Sequence, residues 1–131
     1  MAADAGVGIS GIGQVALTVD DVERAIAFYR DVLGMRFLFE IPDQGMAFLD
    51  CGDGTRLYLA HVESPAFRSD PAVYYKVASV EAAHQALVDA GAEILSPPHQ
   101  VHHTTTVDTW MCFTKDPDGN AVALMEERPA S

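Results

Sequence analysis

An internal repeat that spans nearly the whole chain of 131 residues is the feature that most constrains the fold. Residues of the first strand-like and helix-like segments recur 58 positions later. The matching positions are Val15, Val19, Val22, Glu23 and Ala25 in one copy and Val73, Val77, Val80, Glu81 and Ala83 in the other. Each copy then has two strand-like runs joined by an Asp-Gly turn, at Asp53-Gly54 and at Asp118-Gly119. Elements that recur in one order predict two copies of a single β-α-β-β-β unit.

The ends of both repeated helices are visible in the sequence. Asp20, followed three residues later by Glu23, has the pattern of a capping box, and Gly34 is placed to end the first helix. Ser79 is the expected N-cap of the second helix, and Gly91 is its expected stop. Between these ends, apolar residues recur at helical spacing, which predicts that each helix packs one face against a sheet.

Domain boundaries follow from the repeat and from two proline-containing breaks, Ser64-Pro65 and Asp70-Pro71. We predict one domain over residues 12–127, preceded by a flexible tail and followed by a short C-terminal tail. The predicted segments are the tail 1–11, module one 12–62, the linker 63–71, module two 72–127 and the tail 128–131.

Charge limits the partners that such a domain can bind. Eight Lys and Arg residues against nineteen Asp and Glu residues give a net charge of −11. A phosphate backbone or an anionic membrane would repel this field, so we expect neither nucleic acid nor a membrane as a partner. The same field favours the approach of a cationic small molecule.

The compartment follows from what the sequence does not contain. No apolar run approaches the roughly 20 residues of a membrane span, and the first residues lack the basic and apolar regions of a secretory signal. We therefore expect a cytoplasmic protein. Its two cysteines, Cys51 and Cys112, have no Cys-x-x-Cys spacing, so they predict neither a disulfide framework nor a zinc knuckle.

Alternation along the strands predicts a second face on each sheet. Val15, Leu17 and Val19 would face the first helix, so that the residues between them point away from it. If the two sheets curve together, these second faces line one concave cup, where we expect a ligand to bind. The fold class is therefore α+β, with two tandem βαβββ modules forming curved mixed sheets around a cup. The residues assigned to the second face are Gln14, Ala16, Thr18, Arg56, Tyr58, Ala60, Ala72, Tyr74, Lys76, Ala121, Ala123 and Met125.

The side chains predicted for the cup are aromatic and small. Tyr58 and Tyr74 offer rings for stacking or cation–π contact, and the alanines leave space beside them. The same small residues are also typical of a closely packed closed barrel. Arg56 either pairs with a ligand carboxylate or is simply solvated, and Trp110 joins the cup or packs in the core. The predicted ligand-binding residues are Gln14, Arg56, Tyr58, Tyr74, His99, His102, His103 and Trp110.

Two stretches resemble the vicinal oxygen chelate superfamily, which includes glyoxalase I, bleomycin-resistance proteins and extradiol dioxygenases. One runs from Val15 through Phe28-Tyr29 to Leu33-Gly34, and the other is Asp116-Pro-Asp-Gly-Asn120 with the strand after it. The resemblance covers residues 12–127. It implies the same cup-shaped fold and a homodimer with the site at the subunit boundary. It is poorly specific for reaction, because one scaffold hosts unrelated chemistries.

The resemblance also implies where a metal would sit. Metal-dependent relatives place one ligand on each opening strand and one on each last strand, and these positions correspond here to Gln14, Tyr58, Ala72 and Ala123. An alanine methyl cannot ligate, a phenol is an uncommon ligand, and one amide oxygen cannot hold a divalent ion. We therefore expect no metal and no cofactor at the familiar site.

Three histidines offer an alternative. His99, His102 and His103 follow Pro97-Pro98, in a segment that we expect to be a proline-broken loop with no carboxylate before Asp108. They are solvated or packed in the loop, or they contact substrate as part of a lid, or they bind a metal ion.

Two functions of different classes are consistent with these features, and a partner-binding module without a ligand is a third. The first is a metal-free binder of a small organic ligand, as in antibiotic-sequestering relatives. The alternative is a lyase or isomerase of the glyoxalase type that uses a metal held by the histidines or acid–base chemistry without metal. Stoichiometric metal in the purified protein would favour the alternative.

Overall fold

The repeat is present in the computed structural model, which describes residues 6–8, 11–61 and 73–131. The first module contains β1 (Gln14–Val19), α1 (Val22–Ala27), β2 (Arg36–Ile41), β3 (Met46–Asp50) and β4 (Arg56–His61). The second contains β5 (Val73–Lys76), α2 (Val80–Asp89), β6 (Ile94–His103), β7 (Val107–Lys115) and β8 (Ala121–Pro129). The predicted βαβββ order is confirmed. The predicted linker 63–71, Ala72 and most of the predicted tail 1–11 lie outside the described residues.

Each module forms a four-stranded mixed sheet of identical topology. The strand orders are β1-β4-β3-β2 and β5-β8-β7-β6. In both sheets the first strand pairs in parallel with the last, whereas the other neighbours are antiparallel. The helix carries the chain from the first strand across the sheet, so that the three following strands return as hairpins beside it. The two sheets remain separate and do not close into one barrel.

The first helix begins one residue later than the sequence predicts. The side chain of Asp21, not of Asp20, accepts the capping hydrogen bond, from the backbone N–H of Arg24 at 3.1 Å. The backbone N–H of Asp20 donates instead to Asp118 Oδ1 of the second module, at 2.7 Å. A contact between modules therefore fixes Asp20 outside the helix. After Ala27 the helix widens into a π-type turn, Phe28–Val32.

The other predicted helix ends are confirmed. The Ser79 hydroxyl accepts a hydrogen bond from the backbone N–H of Ala82 at 3.1 Å. Gly34 and Gly91 follow the two helices with φ of +78° and +75°, a conformation that other residues rarely adopt. None of the helices in the described ranges is long and apolar enough to cross a lipid bilayer.

Both Asp-Gly turns are present, but the aspartates do not take the positive φ that the pattern suggests. Only the glycines do, with φ of +89° at Gly54 and +86° at Gly119. Asp53 instead accepts a hydrogen bond from the backbone N–H of Thr55 at 3.0 Å. Asp53 therefore forms an Asx turn, whereas Asp118 accepts the hydrogen bond from the distant backbone N–H of Asp20.

The histidine-containing segment is a strand, so the prediction of a proline-broken loop is wrong. β6 pairs with β7 from Ile94 to His103, with three shifts of register. β6 lies at the edge of its sheet, where a proline without an N–H donor removes no hydrogen bond from a central ladder. The last strand is also longer than expected, since β8 extends to Pro129 into the predicted tail 128–131.

One apolar core unites the two modules on the helix-bearing sides of the sheets. Its buried members include Leu17, Tyr29 and Leu57 of the first module and Val80, Leu87 and Val122 of the second. Residues such as Leu17, Leu57 and Val122 have the inward parity that strand alternation predicts. Both helices pack on these sides, so the opposite face of each sheet carries no helix in the described part of the chain. We call these the open faces.

Candidate functional site

A row of stacked rings crosses the open face of the first sheet. Phe39, Phe48 and Tyr58 are cross-strand partners on β2, β3 and β4, and we call them the aromatic row. The ring centroids of Phe39 and Phe48 are 4.6 Å apart, and those of Phe48 and Tyr58 are 4.9 Å apart with planes only 7° from parallel. Ala16 on β1 is the next partner in the same line. The row places a polarizable surface about three rings wide on one face of the sheet.

An irregularity in β2 is what brings Phe39 to this face. Phe37 pairs with Leu49 on the helix-bearing side, yet Phe39 pairs with Phe48 one position along, so the register shifts between them. The shift means that β2 has one extra residue between Phe37 and Phe39. Without it Phe39 would face the core, because side chains alternate along a strand. Instead 44% of its surface is exposed.

A polar row runs parallel to the aromatic row on the same face, two residues away from it along β1, β3 and β4. Its members in order across the sheet are Gln14, Arg56, Asp50 and Arg36. The Arg36 guanidinium lies 3.4 Å from the Asp50 carboxylate, and the Arg56 guanidinium carbon lies 5.9 Å from the centroid of Phe48. The backbone N–H of Gly52 and the Arg36 side chain both lower the pKa of Asp50. This carboxylate therefore stays ionised beside the rings.

The open face of the second sheet carries a sparser set of rings. Tyr74 on β5 pairs with Ala123 on β8, which pairs with Phe113 on β7. The ring of Phe113 packs edge to face against Tyr74 and lies nearly parallel to the ring of His99. The centroid of Phe113 is 6.3 Å from the centroid of each of these two rings. Half of the Tyr74 surface is exposed, and Tyr74 also lines a cleft of about 520 Å³ beside the loop between β3 and β4.

The three predicted histidines do not point to one place. His99 and His102 lie on the open face of the second sheet, whereas His103 lies on the helix-bearing face opposite Asp108. Strand alternation separates them, because adjacent residues of a strand point to opposite faces. In the parts of the chain that the structure describes, no three His, Cys, Asp or Glu side chains are grouped as metal ligands would be.

Trp110 also lies away from the open face. It pairs with Glu126 on the helix-bearing side, and the Arg128 guanidinium covers its ring at 4.5 Å from the centroid. Arg128 donates to Glu126 at 2.9 Å and forms a further ion pair with Glu81. Glu126 accepts the backbone N–H of Val80 at 3.0 Å, so this cluster fixes the start of α2 to β8.

His103 and Asp108 form a close hydrogen-bonded pair at the end of β6. Asp108 is buried and also accepts hydrogen bonds from the backbone N–H and the hydroxyl of Ser131, each at 3.3 Å. The bond from His103 is the main cause that lowers the pKa of Asp108.

This pair predicts a pH-dependent contribution to stability. A carboxyl with a lowered folded pKa stabilises the fold above its unfolded pKa, and the contribution is lost as pH falls through the folded value. We expect Asp108→Asn to destabilise the protein at pH 7 and to differ little from the wild type near pH 2. Chemical unfolding of both proteins between pH 7 and pH 2 measures this. A difference that stays constant over that range would contradict the assignment.

Known proteins with similar sequences or structures have the same architecture. The sequence model of the Glyoxalase/Bleomycin resistance protein/Dioxygenase superfamily matches residues 11–124. The chain belongs to this superfamily. The family expectation from the sequence, with its fold, is thereby confirmed. No curated protein matches the chain significantly.

Several solved structures share the fold at low sequence identity. A lactoylglutathione lyase from Agrobacterium tumefaciens is 23% identical, with a TM-score of 0.71 over 90% of this chain and 94% of that one. A glyoxalase family protein from Bacillus anthracis is 26% identical, with a TM-score of 0.68 over 92% and 97%. TioX from Micromonospora sp. ML1 is 21% identical, with a TM-score of 0.73 over 89% and 98%. Similarity at this level establishes the architecture and leaves the reaction open.

The residues at the family's four metal positions do not fit a divalent ion. Gln14 lies exposed on β1, Tyr58 is stacked within the aromatic row, and Ala123 supplies a methyl group. The fourth position, Ala72, lies outside the described residues and has no donor atom in its side chain. One amide and one phenol fall short of the three protein ligands that catalytic divalent sites use. We therefore derive no chemical step through a metal at these positions.

Sequence patterns missed three rings that the structure places on the open faces. Phe48 and Phe113 have the same parity as cup-facing neighbours on the adjacent strands, so alternation along β3 and β7 could have indicated both. No local signal could have indicated Phe39, because its orientation depends on the irregularity in β2.

Proposed function

We propose that this protein binds a flat, cationic organic molecule on its aromatic row, in a cup completed by a second copy of the chain. The uninterrupted stack of Phe39, Phe48 and Tyr58 carries this proposal. The binding needs no divalent metal at the four family positions. It resembles the sequestration of antibiotics by other members of the superfamily.

The end of the aromatic row offers a place for one more ring. Phe48 covers one face of Tyr58, and the next residue in the line is Ala16, which carries only a methyl group and is exposed. A planar ligand that lies above Ala16 would therefore continue the stack against the free face of Tyr58. Offset stacking at a spacing of about 4.5 to 7 Å between centroids is favourable for such rings.

Charge supports a cationic ligand in this place. The chain has a net charge of −11, which raises the local concentration of cations around it. A cation held above an aromatic face gains further attraction from the ring, worth about 0.5 to 2 kcal/mol. In the neighbouring polar row Asp50 is paired with Arg36, and Arg56 is a second cation there, so the attraction for a cationic ligand comes from the net charge of the chain and from the ring faces.

Exposure of the rings supports a second copy as the other wall of the cup. Phe39 and Tyr74 expose 44% and 50% of their surfaces, which is high for large side chains on the face of a sheet. These two rings lie on different sheets, and the contiguous apolar surface is the aromatic row itself, which is typical of an interaction or ligand site. We propose a homodimer in which open faces of the two copies meet around the ligand.

A binding experiment with Tyr58 variants tests the proposed ligand site. Proflavine, a planar cation, and bleomycin serve as probes, with fluorescence titration and thermal shift as readouts. Tyr58→Ala should weaken binding about tenfold, because a stacking or cation–π contact of about 1.4 kcal/mol is lost. Tyr58→Phe keeps the ring and should bind nearly as the wild type does. Failure of both probes to bind, or equal binding by both variants, would contradict the proposal.

The lyase or isomerase alternative makes a separate prediction about metal. Protein purified without added metal would then carry a stoichiometric ion, and the triple variant of His99, His102 and His103 to alanine would lose it. Elemental analysis of both proteins decides this. Since the structure places His103 on the other face from His99 and His102, we expect the triple variant to leave any metal content unchanged.

A further inference from the structure

The positive charges of this acidic chain are concentrated on the open faces. The described strands place four of the eight Lys and Arg residues there, but only two of the nineteen Asp and Glu residues. These strand residues therefore carry a formal charge of +2, on a chain whose net charge is −11. A concave surface lined by one sign of charge attracts the opposite sign. The cations are Arg36, Arg56, Lys76 and Lys115, and the anions are Asp50 and Glu127.

Two of these four cations already have a carboxylate partner. Arg36 lies 3.4 Å from Asp50, and the Lys115 Nζ lies 3.8 Å from the carboxylate of the residue that precedes β6. Among the described residues, no hydrogen bond or ion pair joins the side chain of Arg56 or Lys76 to a partner. Lys76 lies on the second sheet, so Arg56 is the unpaired cation beside the aromatic row.

Arg56 lies next to the place that we propose for the ligand ring. It pairs with Gln14 across β4 and β1, and two residues further along the same strands Tyr58 pairs with Ala16. Residues two apart on a strand share a face and are about 7 Å apart. The guanidinium carbon is 5.9 Å from the centroid of Phe48, so the side chain leans toward the aromatic row. A substituent on a ring above Ala16 therefore comes within reach of Arg56 and of the exposed Gln14 amide.

The opposite side of the aromatic row is uncharged. The next line of residues across the sheet on that side is Thr18, Ala60, Met46 and Ile41. A charged substituent finds no opposite charge among these residues. The polar row therefore sets the direction in which such a substituent points.

We infer that the ligand is amphoteric, with an acidic group beside its planar cationic ring, and that Arg56 selects for that group. The inference rests on the proposed function, since the ring must lie on the aromatic row for its substituent to reach Arg56. The guanidinium donates two parallel hydrogen bonds to a carboxylate, a geometry that the ammonium of lysine does not provide. The Gln14 amide donates a further one. Such a ligand places its positive charge against the rings and its negative charge against the polar row.

Fluorescence titration with two acridines of the same shape tests this specificity. 9-Aminoacridine-4-carboxylate is amphoteric, whereas its carboxamide has the same cationic ring without the acid. The titration uses about 0.15 M salt, which screens charges further away than about 8 Å. We expect the carboxylate to bind about tenfold more tightly, as a hydrogen-bonded ion pair predicts. Equal binding of the two probes, or tighter binding of the carboxamide, would overturn the inference and leave the proposed function standing.

Variants test the part played by Arg56. Arg56→Gln should abolish the preference for the carboxylate and leave the affinity for the carboxamide nearly unchanged. Arg56→Lys keeps the charge but not the planar fork, so it should keep only part of the preference. Arg30→Gln is the matched control, because it removes the same charge from an exposed guanidinium that pairs with Asp31 in the π-type turn. A preference that persists in Arg56→Gln, or that is lost equally in Arg30→Gln, would refute the role of Arg56.

Tyr58→Ala separates this inference from the proposed function. It should weaken the binding of both acridines by a similar factor, because both lose the ring against which they stack. Failure of both acridines to bind the wild type, or no effect of Tyr58→Ala on either, would refute the proposed function and this inference with it. Cooperative thermal unfolding of each variant confirms that it is folded.

Discussion

Replacing Asp116 with alanine should lower the free energy of unfolding by about 3 to 5 kcal/mol, the largest effect that we expect of a single change outside the apolar core. Asp116 is buried at the turn between β7 and β8. Its carboxylate accepts hydrogen bonds from the hydroxyl of Tyr29, two backbone N–H groups and the amide of Asn120, at 2.8 to 2.9 Å. Alanine would leave these four donors, three of them in buried hydrogen bonds, without their acceptor. Urea unfolding at pH 7 measures the loss.

Two milder variants test whether the loss comes from the hydrogen bonds of Asp116. Tyr29→Phe removes only the hydrogen bond from Tyr29 to Asp116 and should lower the free energy of unfolding by about 1.5 to 3 kcal/mol, the worth of a bond to a charged group. Tyr29 is completely buried, and its bond to Asp116 joins residues that are 87 positions apart. Asp116→Asn keeps one acceptor oxygen and should fall between the alanine variant and the wild type. A loss below about 1 kcal/mol for Asp116→Ala would show that this turn does not hold the modules together.

Placing a charge on the aromatic row should dissociate the homodimer that we propose. The proposed homodimer brings open faces together, so Phe39→Glu would bury a carboxylate at the interface without a partner. In a symmetric dimer each copy brings the same substitution, and the effect is doubled. We expect the dimer dissociation constant to rise by about a hundredfold or more, as two buried unpaired charges predict. Sedimentation equilibrium reports the mass against the 14.1 kDa of one chain.

The matched control puts the same charge on an equally exposed apolar residue elsewhere. Val88 on α2 exposes 46% of its surface, close to the 44% of Phe39, and does not lie on an open face. Val88→Glu should leave the dimer intact. A wild-type protein that is monomeric at about 100 μM, or a Phe39→Glu variant that still dimerises, would contradict the proposed assembly and with it the closed cup.

Local patterns predicted the module and most of its inward and outward residues. The inward orientation of Leu17, Val19 and Leu57 follows from the alternation of apolar residues along their strands, and the core contains them as expected. The same reasoning placed Tyr58 and Tyr74 on the open faces, where the structure has them. The N-cap at Ser79 was also predicted correctly, because capping depends on residues within one turn of the helix.

The predictions that failed depend on contacts between distant parts of the chain. Asp20 looked like the cap, but its backbone is bound to Asp118 in the other module. The prolines of β6 indicated a loop, yet an edge position beside β7 accommodates them. His103 separates from His99 because it belongs to a paired strand, and a sequence motif does not record that pairing.

The amino-acid sequence alone determined the two βαβββ modules and the faces of their strands. Hydrophobic alternation is a property of neighbouring residues, so it predicts these faces even when the element that packs against them is unknown. Only the tertiary structure decided that Phe39 joins Phe48 and Tyr58 in a row, and that Tyr29 reaches Asp116 across the junction of the modules. An irregular strand and a contact over 87 positions arise from packing of the whole chain, where the free energy of burial selects one arrangement among many that the local pattern allows.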